Sequence, residues 1–134
     1  MSWDMRATVR RESRPSDEGG GVRLVYLGLT EQAAAAGECE PAELRIGDAF
    51  RLLPGAAITF GRDRLCEITI DSTRLGPVHA AIVLLPGGQR LGLIHLAGAG
   101  TTVVHGRHEP VHLIAPGAEL VLGEAFRFRC QPAA

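Results

Sequence analysis

The side chains able to do chemistry in this 134-residue chain are few and scattered. Every one of its 14 basic residues is arginine, with no lysine present. A guanidinium is a planar fork of donors suited to oxyanions. A GC-rich coding bias, which also enriches alanine, gives the same composition with no functional meaning. His105, His108 and His112 follow one another at a spacing that superficially suits zinc. Gly106 and Pro110 interrupt them, so no helix can align the three rings, and the reading is exposed loop residues with no metal or other cofactor. Asp71, Ser72 and His79 are the residue types of a hydrolase. No strand–turn–helix elbow surrounds Ser72, so no enzyme is expected. The glycine clusters at 86–88 and 97–100 do not sit between a strand and a helix, so they read as hairpin loops, not anion cradles. Thr8 and the run Arg10-Arg11-Glu12-Ser13 have the look of a basophilic kinase site, but in so polar a stretch they read as a solvated tail.

The elements that must position these residues are short strands. Residues 1–21 are polar, aperiodic and end in three glycines, which predicts a flexible arm. Val22 to Leu29 is rich in strand formers. Thr30 to Pro41 is a low-complexity connection in which four alanines allow one helical turn before Gly37 and Pro41 stop it. Beyond Leu44 a turn signal recurs at roughly eight- to twelve-residue intervals, the pattern of a sandwich or barrel. The predicted strands are 49–53, 57–60, 67–70, 79–85, 90–96, 101–105, 111–114, 119–122 and 125–130. Alternation assigns their faces: Phe126 and Phe128 share one side, Arg127 and Arg129 the other. Apolar inner faces and solvated outer faces follow. With aromatics at 4%, the core is expected to consist of Leu, Ile, Val and Ala.

Composition bounds the whole. A chain of this length makes one domain. At 46% apolar and 22% charged residues, a core can form. A net charge of −1 lacks the basic excess of a nucleic-acid or anionic-membrane binder, so neither partner is expected. No apolar run approaches the ~20 residues of a membrane span, and no secretory h-region opens the chain. Cys39, Cys66 and Cys130 are widely spaced and odd in number, which reads as reduced thiols. The expected setting is bacterial and cytoplasmic.

From Val22 to Cys130 the order of motifs resembles the forkhead-associated (FHA) domain family. Phe50 to Gly55 followed by Ile58-Thr59-Phe60-Gly61-Arg62 matches its opening strand, turn, strand and Gly-Arg. Glu67 to Ile70, then a loop, then Gly76-Pro77-Val78-His79-Ala80 matches its strand followed by Ser-Arg-x-His-Ala. His95 to Gly106 corresponds to its Asn-Gly-Thr loop, and Leu113 to Phe128 to its closing pattern. The resemblance implies an all-β, antiparallel sandwich of about eleven short strands, spanning 22–130 between the arm and a tail at 131–134. It also implies binding of phosphothreonine peptides through the loops.

The departures fall on the implied grip. Arg62 is kept, as are Gly61, the loop-bracing His79, and Thr102. The serine position is Gly76, the basic position is Pro77, and the asparagine position is Gly100. Gly76 has no hydroxyl, and Pro77 has neither a charge nor an N–H. The expected function is therefore a protein-interaction module, its partner a protein or phosphoprotein, with phosphothreonine recognition weakened or lost. The alternative is a working phosphothreonine reader in Ser/Thr kinase signalling that recruits Ser72, Thr73 and Arg74 as substitute ligands. Gly98, Gly100, Thr101 and Thr102 complete the candidate site on the loop between His95 and Gly106.

Overall fold

Alternation along the strands becomes alternation of burial. In the computed structural model, which describes residues 9–12, 21–53, 55–86, 90–96, 102–104 and 107–132, the last strand, β11 (Phe126–Pro132), buries Phe126, Phe128 and Cys130 and turns Arg127 and Arg129 outward. Two sheets pack their apolar faces together. One has the order β1 (Val9–Glu12), β3 (Ala49–Leu52), β2 (Val22–Leu29), β11, β10 (Glu119–Leu122), β8 (Thr102–Val104). The other runs β5 (Ile68–Thr69), β4 (Ala57–Gly61), β6 (Ala80–Leu84), β7 (Leu91–His95), β9 (Val111–Ile114). One short helix, α1 (Glu31–Ala35), follows β2; Thr30 caps it, accepting from the Ala33 N–H at 3.1 Å. Just beyond it, Gly37 has φ +91°, a left-handed value that ends the helix as the sequence suggests.

The all-β sandwich is as expected, with four differences. The β4–β5 pair is parallel, Phe60 opposite Ile68. The connection between them, residues 62–67, is held by Asp63, whose carboxylate accepts from the Leu65 N–H (2.9 Å) and whose carbonyl accepts from the Cys66 N–H (3.0 Å). The second difference is at the two termini: residues 9–12, inside the segment read as an arm, pair with β3 from Val9↔Leu52 to Glu12↔Ala49, and the strand that closes the chain runs on to Pro132, paired with Val22.

The third difference lies in the core. Although aromatics are scarce, Tyr26, Phe60, Phe126 and Phe128 are its largest buried side chains. Phe128 touches Phe60 edge-on at a centroid distance of 5.3 Å and Tyr26 at 5.2 Å, joining the two sheets. Aromatic rings span the gap between sheets where an aliphatic side chain would leave a void.

The fourth corrects the expectation of solvated outer faces. On the outer side of the five-stranded sheet, cross-strand register lines up Ala57, Val83, Gly92 and Leu113 in one row. The adjacent row is Thr59, Ala81, Ile94 and Val111. Seven of these eight positions are apolar, so here the period-2 pattern is apolar on both faces.

Candidate functional site

Two loops of the five-stranded sheet are stitched together by backbone bonds at one end of the sandwich. The Arg62 N–H donates to the Gly76 carbonyl (3.1 Å) and the Asp63 N–H to the Pro77 carbonyl (3.0 Å). This closeness requires glycine at 61: an added Cβ would strike the Pro77 carbonyl oxygen and lie 2.9 Å from the Cys66 sulfur. That thiol donates to the Pro77 carbonyl at 3.3 Å, and its burial pushes its pKa upward.

His79 is the hinge pin of the second loop. It is wholly buried, and its Nδ1 accepts from the Gly76 N–H at 3.2 Å. Its backbone N–H donates to the Phe60 carbonyl (2.7 Å), and its carbonyl accepts from the Leu96 N–H (2.9 Å), where the third loop begins. The base of that third loop is held by Thr102, also buried, whose hydroxyl meets His95 Nδ1 at 3.0 Å. His95 stacks edge-on between His79 (5.1 Å) and His108 (4.9 Å). The structure thus brings Gly61, Arg62, Gly76, Pro77, His79 and Thr102 into one hydrogen-bonded end. Gly98, Gly100 and Thr101 lie outside the described residues, as does His105.

The remaining histidines do not converge. His112 is buried, and its Nε2 accepts from the Glu109 N–H (3.1 Å), while His108 Nδ1 donates to the Thr102 carbonyl (2.9 Å). Among the described residues no group of three or more ligating side chains is placed to hold a metal ion. Ser72 and His79 are likewise engaged elsewhere: Ser72 with Glu38, His79 with the Gly76 N–H.

The residue that sequence reasoning missed is Glu38. One of its carboxylate oxygens accepts from the Ser72 hydroxyl (3.1 Å), the other from Arg74 Nε (3.0 Å). Ser72 Oγ in turn accepts from the Arg74 N–H (3.2 Å). Two of the three substitute anion ligands are therefore already bound to an internal anion, and the third, Thr73, is exposed. Glu38 belongs to the connection after α1, which a second carboxylate fastens down. Glu40 accepts from both the buried Tyr26 hydroxyl (3.0 Å) and the Leu29 N–H (3.0 Å). Burial first, then this carboxylate, hold the Tyr26 phenol protonated far above its ordinary range. The signal in the sequence was Gly37-Glu38-Cys39-Glu40-Pro41, alternating acids in a connection too long for a hairpin. A groove of about 510 Å³ opens beside it, lined by Glu38, Glu40, Glu43 and Asp71 on the acidic side and by Arg62 and Arg64.

A parallel pair running into a stitched double loop, braced by a buried histidine, defines the class: a two-sheet sandwich that presents loops at one end. The FHA domain model matches residues 58–123, and that stretch of the chain belongs to the FHA family. The FHA domain of the CT664 protein from Chlamydia trachomatis superposes with a TM-score of 0.64 at 18% identity, covering 84% of this chain and 97% of that one. An FHA domain of an Arabidopsis thaliana hypothetical protein does so with a TM-score of 0.61 at 20% identity, covering 90% and 91%. The FhaA FHA domain, solved with the intracellular domain of Rv3910, gives 0.58 at 19% identity, covering 83% and 100%. At such identities the likeness shows the fold. No curated protein matches the chain. No helix among the described residues is long and apolar enough to cross a membrane.

Proposed function

We propose that this chain is a protein-interaction module of FHA type whose phosphothreonine recognition is weakened or lost. The observation that carries the reading is the Glu38 carboxylate on Ser72 and Arg74. A phosphate carries nearly two negative charges and is held by charge-assisted donors. Here the substitute donors Ser72 and Arg74 are already bonded to a carboxylate, which leaves Arg62 and Arg64 along the groove. Gly76 brings no hydroxyl, Pro77 no charge or N–H, and Gly100 no amide. Each lost charge-assisted bond removes about 1.5–3 kcal/mol, so two losses weaken a micromolar site to about millimolar. Arg62 is exposed, so its attraction acts at high dielectric and is screened by salt.

Protein partners are supported by a relative: the FhaA FHA domain was solved as a complex with the intracellular domain of Rv3910. A reducing, cytoplasmic setting is in keeping with three free cysteines, two of them buried. Calorimetric titration with a phosphothreonine peptide library tests the reading. The native chain should bind no tighter than high micromolar. Gly76→Ser, Pro77→Arg and Gly100→Asn together should tighten binding about tenfold or more. Gly76 does not have a left-handed backbone, so serine adds no backbone strain there. If the native chain binds one peptide tightly and Arg62→Ala abolishes it, the chain is instead a reader with non-standard ligands.

A further inference from the structure

The outer face of the five-stranded sheet carries two cross-strand rows that are almost wholly apolar. At the β9 edge stand the ridge residues Ile94, Val111 and Leu113, exposed by 39%, 57% and 67%. Toward β4 the face drops to Ala57 and Ala81, and Gly92 opens a gap beside Val83. An exposed face this apolar is unusual for a sheet that faces water.

We propose that this face packs against the same face of a second copy of the chain, about a twofold axis parallel to the strands. Such an axis leaves each cross-strand row in place and reverses the order of its strands, so β9 lies over β4 and β7 over β6. Leu113 falls on Ala57, Ile94 on Ala81, Val83 on Gly92, and Val111 on Thr59. Large faces small in the first three pairs, and the fourth joins two side chains of equal size, which suits two sheets that interdigitate at about 10 Å separation. A twofold contact requires this self-complementarity. No polar group is stranded by the contact: the Thr59 hydroxyl already donates to Glu67, which also accepts from the Thr59 N–H at 2.7 Å.

Four strands at about 4.8 Å spacing and two rows about 7 Å apart give a face of about 270 Å² per copy. Two such faces bury about 540 Å², a third of a standard stable interface, so the dimer is reversible and populated at high local concentration. Its association should depend little on sodium chloride, because neither row carries a charge. This inference is independent of whether the loops bind phosphate.

Sedimentation velocity over a wide concentration range gives the first readout. The native chain should pass from monomer to dimer, and Leu113→Glu should weaken association by about 100-fold or more, because each dimer would bury two unpaired carboxylates. Leu113 is exposed, so the variant should keep the native circular dichroism spectrum. The second readout is a Cys39→Ser, Ala57→Cys, Leu113→Cys variant. Within one copy those two positions are three strand spacings apart, about 14 Å, beyond disulfide reach. Oxidation should therefore link 57 of one copy to 113 of the other, as peptide mapping would show. A chain that stays monomeric at its highest soluble concentration overturns the proposal and gives the face to a different protein. A dimer that Leu113→Glu leaves intact overturns it equally.

Discussion

Gly61 is the residue on which the loop end turns. Its place against the Pro77 carbonyl lets the Arg62 and Asp63 N–H groups reach the second loop. Backbone cannot yield as the far end of a side chain can. Gly61→Ala should therefore destabilise the fold by about 1–3 kcal/mol, the range for overpacking, measured by urea unfolding. It should also loosen the second loop, read as faster amide exchange at Arg62 and Asp63. An unchanged urea midpoint would show that the two loops separate easily. Gly61, Arg62 and His79 were legible in the sequence because a short motif carries each. Glu38 was not, because its partners Ser72 and Arg74 stand 34 and 36 residues away, and no local pattern announces a long-range carboxylate.

At the scale of elements, the connection after β2 decides how the loop end is furnished. It is tied down at Thr30, whose hydroxyl donates to the Glu124 carbonyl (3.2 Å) in the β10–β11 turn, and at Glu40. Gly123 and Glu124 both have φ +60° there, and a Cβ at 123 would press on the Arg74 carbonyl oxygen at 2.8 Å. The turn, the connection and the Ser72–Arg74 loop therefore form one packed unit. Glu40→Ala leaves the buried Tyr26 hydroxyl without its acceptor and should cost about 1–3 kcal/mol. Adding Tyr26→Phe should recover part of that loss, because the stranded hydroxyl goes with it. Equal unfolding midpoints for the single and double variants would show that the hydroxyl finds another partner. The strand positions of this region were read from period and turn residues. The parallel β4–β5 pair was not, since two residues of pairing are too short for any periodicity.

For the molecule as a whole, the β2–β11 pairing runs from Phe126↔Leu29 to Pro132↔Val22 and joins the two ends of the sandwich. Global stability should then register titration of a buried group. His112 is buried with its Nε2 accepting from Glu109, and burial lowers its pKa from 6.5, with Glu109 opposing and His108 assisting. The folded state binds this proton less readily than the unfolded chain. Its contribution is complete above pH 6.5 and is lost as pH falls below that value toward the lowered folded pKa. The urea midpoint should decline as pH falls below 6.5, and His112→Gln should flatten the decline. A decline of the same steepness in the variant would assign it to other groups.

The sequence by itself determined the fold class and the positions of the strands from Val22 onward, because turn residues and period-2 alternation act over a few positions and need no distant partner. That Gly76 has no hydroxyl and Pro77 no N–H is likewise legible there, since each is a property of the residue itself. Only the tertiary structure decided that Glu38 is seated on Ser72 and Arg74. Only there does the outer sheet face show its complementary rows, because a row is made of residues from four strands brought side by side by register. The scarce aromatics followed the same logic: each strand pattern said which side Phe60 or Phe128 faces, and packing between the sheets set them against each other at 5.3 Å.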